Sequence, residues 1–414
     1  MKLLIAIPAL NEEASIESII RRCLAARSYI LAKSPITEVE ITVVSDGSTD
    51  RTVERARQFR DISLIVFDKN RGYGAAIKEA WRRSDADLLG FLDADGTCDP
   101  DFFSELGTAI VREGADVVLG CRLNSKSKMP LIRRAGNLIF ASILTIFSSK
   151  RVRDTASGMR IVRRSSLPKL MPLPDGLHFT PAMSARALLR RDMKIVEIQM
   201  PYEERTGRSK LRVGKDGLRF LRVILDSAFL YRPSRPLALA GILCLVVTVA
   251  LMLMPAGYYL RYRAVTEWMI YRFVVSHLVG TSACLLLCAS YLSGRTVRIA
   301  LSAEASSEGN KPFSERFFSS KTFWAWPVAL GAAGVALVIP SFIELVETGA
   351  TYEHWSRFIA MSFLCSSALI LVVTRALDYV LQLVASRLEY LQSEAAANLF
   401  EVAPLNRSVS AAGD

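Results

Sequence analysis

The residues best suited to chemistry are Asp93 and Asp95, one residue apart in Asp93-Ala94-Asp95, directly after the apolar run LLGFL. Two carboxylates at that spacing on a strand end can share a hard divalent cation, Mg²⁺ or Mn²⁺, which in turn binds diphosphate oxygens. Read alone, the pattern equally describes two solvated acids. Other polar segments follow apolar runs in the same way. IAIP leads into Ala9-Leu10-Asn11-Glu12-Glu13, and TVVS into Asp46-Gly47-Ser48-Thr49-Asp50. Asn70-Arg71-Gly72-Tyr73-Gly74-Ala75 stands before a helical segment. Its glycines permit close backbone approach at a helix start, or simply turn the chain into the helix. Further on, Arg205-Thr206-Gly207-Arg208-Ser209-Lys210-Leu211 is basic and contains a glycine. Such a segment can close over phosphates and neutralise a leaving group, or be a solvated basic turn. His178, in PDGLHFTPA, reads as structural.

These residues need a scaffold that brings strand ends together. Leu3–Ile7, Ile41–Val44, Leu64–Phe67, Leu88–Leu92 and Val117–Leu119 are short apolar runs, with charged helical segments near 14–32, 50–60, 73–84 and 99–113 between them. Buried strands separated by amphipathic helices predict an α/β domain with a doubly wound, mostly parallel sheet, whose ligands bind beyond the carboxyl ends of the strands. The start, MKLLIAIPALNEE, fits a buried first strand and not a signal peptide.

The 414 residues are 51% hydrophobic and 22% charged. The two properties separate along the chain. Four apolar stretches beyond Pro236, about 237–257, 270–293, 324–346 and 358–380, are each near the length that crosses a bilayer. Residues 130–149 and 215–231 read as amphipathic helices at the membrane surface, or as ordinary packed helices. In the second, Leu218, Leu221, Ile224, Leu225 and Ala228 mark the apolar stripe. The predicted organisation is a cytoplasmic catalytic domain over 1–214, an interfacial helix and linker over 215–235, a four-helix membrane domain over 236–381 and a cytoplasmic tail over 382–414.

Charge supports that orientation. Residues 120–235 hold 25 lysines and arginines against 8 acids, although the whole chain is only +12. A basic band before the first span suits an anionic bilayer and a phosphate-bearing substrate, and no nucleic-acid motif accompanies it. Basic residues in the loop 294–323 and their scarcity in 347–357 put the soluble domain and the tail in the cytoplasm; Arg261 and Arg263 run mildly against this. The seven cysteines lack metal-ligand spacing and read as reduced thiols.

Together, the segments around Pro8–Glu13, Ser45–Asp50, Asn70–Ala75 and Asp93–Asp95 resemble glycosyltransferase family 2, with its GT-A nucleotide-sugar-binding fold. Within it, the resemblance is to the polyprenyl-phosphate sugar synthases of the dolichyl-phosphate mannose synthase type, and it covers about 1–235. It implies a nucleotide-sugar site made by Pro8, Leu10, Asn11, Glu12, Asp46, Gly47, Ser48, Asn70, Gly72, Gly74, Asp93, Ala94 and Asp95, with the metal on Asp93 and Asp95. Asp154-Thr155-Ala156-Ser157-Gly158-Met159-Arg160 resembles the acceptor-side motif of the family, and 205–211 its basic loop. Ser45 stands where the family often has aspartate, and Tyr73 where lysine is common, which leaves UDP- and GDP-sugars both open.

The implied reaction is an inverting displacement at the anomeric carbon by a dolichyl or undecaprenyl phosphate. A phosphate monoester is largely dianionic at neutral pH and needs no protein base. It needs cations, for which Arg122, Arg133, Arg134, Arg160, Arg205 and Lys210 are candidates, with Ser157 and Ser209 beside them. Asp95, Asp154, Arg205 and Lys210 are the residues expected to carry catalysis, Asp154 as base or as orienter. The rival readings are a processive polysaccharide synthase and a non-catalytic membrane anchor. The first expects a Q-x-x-R-W motif, and no tryptophan lies between Trp81 and Trp268. Homo-oligomerisation is compatible with the sequence.

Overall fold

The computed structural model describes residues 1–123, 129–148, 150–205, 210, 213–301, 313–351 and 354–401. They form two compact units, Met1–Arg232 and Pro233–Asp414.

In the first unit, β1 (Lys2–Ala9), β2 (Glu38–Asp46), β3 (Ser63–Phe67), β4 (Leu88–Leu92), β5 (Val117–Cys121), β6 (Met159–Arg163) and β7 (Ile195–Gln199) make one sheet of order β3-β2-β1-β4-β6-β5-β7. All pairings are parallel except those of β6, which runs antiparallel to both β4 and β5. The helices are α1 (Ile16–Lys33), α2 (Thr52–Ala56), α3 (Tyr73–Arg83), α4 (Phe103–Arg112), α5 (Leu131–Phe147), α6 (Leu167–Leu170), α7 (Phe179–Leu189) and α8 (Val213–Tyr231). This is the GT-A arrangement.

The apolar strands follow from burial on both faces, which removes the need for polar alternation. In β1, Leu3, Ile5 and Ile7 join a core with α1 and α4, while Leu4 and Ala6 join a second core with α3 and α7. Fully burying one such side chain contributes about 1.5–3 kcal/mol.

Two strands lie outside the five apolar runs. β6, MRIVR, carries two arginines and so lacks the expected signature, and β7, IVEIQ, is an edge strand that stays partly exposed. The insertion of β6 matters for position. It places the 154–158 segment beside the ends of β4 and β5.

The amphipathic helices also differ from the simple stripe. In α8, Phe220, Ile224 and Ala228 are buried, whereas Leu218 is 71% exposed on the other side. α5 packs on α8, with the Phe140 and Phe220 rings 5.9 Å apart, yet leaves Leu131, Ile132 and Ile139 exposed. Each helix therefore has one packed face and a second apolar face that the unit does not cover.

The second unit contains α9 (Ser234–Tyr262), α10 (Ile270–Leu301), α11 (Phe313–Ser319), α12 (Ala325–Thr348) and α13 (Trp355–Glu401). Four helical segments, Ser234–Tyr262, Glu267–Ala300, Lys321–Thr348 and Trp355–Leu391, are long and apolar enough to cross a membrane. Part of the basic loop 294–323 folds as α11, whose Phe318 stacks on Tyr291 of α10 at 4.3 Å. Beside this contact Asp378 of α13 is fully buried. It accepts from the Tyr291 hydroxyl at 2.8 Å, Arg375 at 2.7 Å and Gln382 at 3.1 Å, and pairs with Arg295 at 3.0 Å. Arg295 and Arg298 in turn pair with Glu315 of α11, each at 3.0 Å.

One acid thus balances two guanidinium groups away from water. Removing such a charge leaves Arg375 without its counter-charge and Arg295 with Glu315 alone, and breaking a buried pair typically costs about 3–5 kcal/mol. Asp378→Asn should therefore lower the unfolding temperature of the full chain in detergent micelles by several degrees. An unchanged melting curve would show that the network carries no net stabilisation.

Candidate active site

A cavity of about 500 Å³ lies where the first unit's strands end. β1 contributes Pro8 and Ala9, β2 contributes Asp46, the turn after β4 gives Asp93, Ala94 and Asp95, and Arg122 follows β5. Its other wall is apolar, with Met129, Ile132, Gly136 and Phe140 from or next to α5, Leu177, and Phe220 from α8.

Asp93 is held by the Tyr73 hydroxyl, which donates to its Oδ1 at 2.6 Å. Burial, reinforced by the neighbouring charge of Asp95, pushes the Asp93 carboxyl up to about 7. Its remaining exposure is into the cavity that it lines. Asp95 is buried; its Oδ1 accepts from the Thr97 hydroxyl at 2.6 Å and the Thr97 amide at 3.2 Å, while its Oδ2 faces Arg205 at 3.2 Å. Arg205 also donates to Glu12 at 2.8 Å. Lys210 pairs with the same Glu12 oxygen at 2.7 Å and donates to the carbonyls of Leu10 and Asn11. The acids and the basic segment thus meet in one site.

Asp46 is buried, and burial pushes its carboxyl up despite hydrogen bonds from the amides of Arg71 at 2.6 Å and Gly72 at 3.0 Å. On the far side, Arg122 forms a two-pronged ion pair with Asp154, at 2.7 and 2.9 Å, with its guanidinium over the Tyr202 ring.

A profile of the family described as glycosyl transferase family 2 matches residues 4–171. Two relatives come from Haloferax volcanii. "Low-salt glycan biosynthesis hexosyltransferase Agl6" is 30% identical over 59% of this chain and 58% of its own length, and "Dolichyl-phosphate hexose transferase" is 33% identical over 42% of this chain and 76% of its own. The "Undecaprenyl-phosphate 4-deoxy-4-formamido-L-arabinose transferase" of Proteus mirabilis is 27% identical over 60% of this chain and 73% of its own. The chain belongs to glycosyl transferase family 2. It spans under two thirds of the first of these relatives and more of the other two.

Against this family's pattern, several expected site residues have other work. The glycines of Asn70–Ala75 were expected to admit a ligand at a helix start. Instead the first free amides of α3, those of Gly74 and Ala75, donate to the Asp175 carbonyl at 2.6 and 3.1 Å. A side chain at Gly72 or Gly74 would overlap the backbone of Asp175 or Pro174. Those glycines admit another segment of the protein; Gly72 also lines the cavity, and Gly74 does not. Asn70, Leu10 and Glu12 line the cavity. Asn11, Gly47 and Ser48 do not; the Asn11 amide donates to the Ser48 hydroxyl at 3.1 Å, and the Thr49 amide donates to Asn11 Oδ1 at 2.8 Å, joining the ends of β1 and β2.

The acceptor-side candidates divide likewise. Arg133 lines the cavity, and Arg134, its neighbour on α5, does not. Ser157 is buried and donates to the Gly120 carbonyl at 2.6 Å. Arg160 is fully buried and donates to the Ser157 and Thr155 carbonyls and the Ser184 hydroxyl. Neither residue reaches the cavity, because their polar groups hold the 154–158 turn together. Ser209 lies outside the described residues. Tyr73, Tyr202 and Arg219 line the cavity without having been singled out for it. Arg219 was visible as part of the basic band; the tyrosines carry no charge pattern that marks them.

Asp154 has the geometry of an orienting group. It is fully buried, off the cavity wall, and surrounded by donors: Arg122, the Asn137 amide at 2.8 Å, and the Arg122 backbone at 3.0 Å. Burial alone would push its carboxyl up, but Arg122 and the other donors hold it below its ordinary value. Asp154→Asn should therefore lower stability by about 3–5 kcal/mol near neutral pH, by leaving Arg122 without its counter-charge. Because the folded carboxyl is depressed, its contribution is complete above the unfolded value near 4 and is lost as pH falls through the lower folded value. Melting temperatures of wild type and variant should converge as pH drops below about 4. A gap that persists unchanged in acid would contradict the ion pair as its source.

Proposed function

We propose that the chain transfers a sugar from a nucleotide-sugar to a polyprenyl phosphate at the cytoplasmic membrane surface. The observation that carries this reading is the cavity itself. It gathers Asp93 and Asp95 with Arg122, Arg133, Arg205, Lys210 and Arg219, beside an apolar wall from α5 and α8. A soluble sugar acceptor has no use for that wall, and a lipid phosphate uses both the cations and the apolar surface. The names of two relatives, which pair dolichyl or undecaprenyl phosphate with transfer, support the same acceptor class.

The donor occupies the acidic side. Pro8, Leu10 and Asp46 form the nucleoside end, and Asp93 and Asp95 meet the diphosphate. The two carboxylates suit a cation: both are hard oxygen donors on one cavity, and burial, reinforced by Asp95, makes charge on Asp93 costly without one. Bound there, Mg²⁺ or Mn²⁺ supplies charge neutralisation for the leaving nucleoside diphosphate. Arg205, which faces Asp95 and Glu12, is placed to turn to phosphate oxygens when they enter. Arg122, aimed by Asp154, and Arg133 hold the acceptor phosphate. One phosphate oxygen attacks the anomeric carbon, the bond to the diphosphate breaks, and the configuration inverts. No base is required, because the nucleophile is already anionic.

Two measurements test this. With the full chain in micelles, release of nucleoside diphosphate from UDP- or GDP-sugars should depend on added polyprenyl phosphate. It should stop with chelator and return with Mg²⁺ or Mn²⁺, and Asp95→Asn should reduce it on the order of 10²–10³-fold. Turnover that needs no polyprenyl phosphate removes the acceptor assignment; full turnover in chelator removes the cation.

The second concerns sidedness. On this reading four spans keep the catalytic unit and the residues after α13 on one side of the membrane, and the basic loop 294–323 favours the cytoplasm as that side. A reporter fused after Asp414 should be active only there. Reactivity of that end from outside sealed cells would overturn the orientation.

A further inference from the structure

We propose that Tyr73 is a positioning residue for the donor-side acids: its phenol orients Asp93 toward the cavity without neutralising it. The inference rests on the reading of Asp93 and Asp95 as the cation-binding pair.

Tyr73 is the first residue of α3 and lines the cavity. Its ring stands edge-on to Phe91 and Phe179, each at 6.4 Å, and Trp81 packs against both of those rings. Gly74 makes this possible, since a side chain there would overlap Phe179. The ring is therefore fixed by packing, and so is the place its hydroxyl reaches. That place is Asp93 Oδ1, at 2.6 Å. The opposite oxygen, Oδ2, lies against Gly158, where any side chain would collide with the carboxylate. Asp93 is held from both sides, by a donor on one oxygen and a close-packed glycine backbone at the other.

The type of donor matters. A lysine at position 73 would bring a full positive charge to Asp93 and compete with a divalent cation for it. A phenol supplies a hydrogen bond and no net charge, so the acidic pair keeps its field. Partners of this kind, which touch a ligand and not the metal, typically tune metal affinity 10–100-fold.

The test is Mn²⁺ binding by the full chain in micelles, followed by the electron paramagnetic resonance of free Mn²⁺ with UDP or GDP present. Tyr73→Phe, which keeps the ring packing, should weaken Mn²⁺ about tenfold. It should raise the Mn²⁺ concentration for half-maximal turnover to match and leave the KM for polyprenyl phosphate unchanged. Tyr73→Lys should weaken Mn²⁺ at least as much, although it retains a donor. Melting temperature on the same samples separates these effects from loss of fold. Wild-type Mn²⁺ affinity in either variant overturns the role of Tyr73 alone. If the wild-type protein itself binds no Mn²⁺ with either nucleotide, the cation site falls, and this inference with it.

Discussion

The buried ion pair between Arg122 and Asp154 is the contact on which the rest of the site depends. Asp154 is fully buried, and a lone carboxylate could not stay ionised there. Arg122 meets it with two nitrogens, Asn137 of α5 adds a third donor, and the Asp154 amide donates to Glu197 of β7 at 2.7 Å. One residue therefore ties the end of β5, the turn before β6, α5 and the edge strand β7. The same tie holds Arg122 on the cavity wall. Two-pronged geometry fixes the plane of the guanidinium as well as its position, which a lysine could not do.

The opposing wall solves a different electrostatic problem. Asp93 and Asp95 are close and poorly solvated, and burial together with the charge of Asp95 raises the cost of charge on Asp93. The fold tolerates this by giving each acid a separate neutral donor, Tyr73 for Asp93 and Thr97 for Asp95, and by bringing Arg205 to the second. A region that is strained electrostatically in this way gains most from a ligand that carries positive charge. Lys210 and Arg205 converge on Glu12 in the same region, so the basic segment touches donor-side acids even without substrate.

Much of this architecture was legible from the sequence. Strands buried on both faces announce themselves as apolar runs, and residues at or just beyond the ends of β1, β2 and β4 line the cavity, among them Pro8, Asp46, Asp93 and Asp95. Less legible were features that depend on contacts distant in sequence. β6 was hidden because its arginines lie in a strand, and Arg160 is stable there only through carbonyls three and five residues away and a serine on α7. The glycines at 72 and 74 look like a ligand loop, and only the folded chain shows Asp175 capping α3 in the ligand's place. Tyr73 departs from the family pattern in sequence, but its bond to Asp93 spans 20 residues and follows no local rule.

The basic band shows why net charge is a blunt guide to function. Residues 120–235 hold 25 lysines and arginines, a number that suggests a surface built for anions. Many of them face inward instead. Arg163 donates to the carbonyls of Ile110 and Ala115, Arg164 to those of Ala86 and Ser84, Arg186 to that of Leu170, and Lys150 to that of Arg190. These cations close helix and strand ends, where unpaired carbonyls would otherwise be buried at a cost. Long side chains with several donors suit that task, so a chain with many such ends becomes basic for structural reasons. Several of the cations that line the cavity are instead aimed by acids. Arg122 is directed by Asp154, Arg205 by Glu12 and Asp95, and Arg219 pairs with Asp216 at 3.2 Å. All three line the cavity; Asp154 stays on Arg122 and aims it, whereas the carboxylates on Arg205 and Arg219 are partners that an incoming phosphate can replace. Arginines such as Arg163 and Arg164, whose donors are taken by carbonyls at the ends of helices and strands, cannot be redirected without opening the fold.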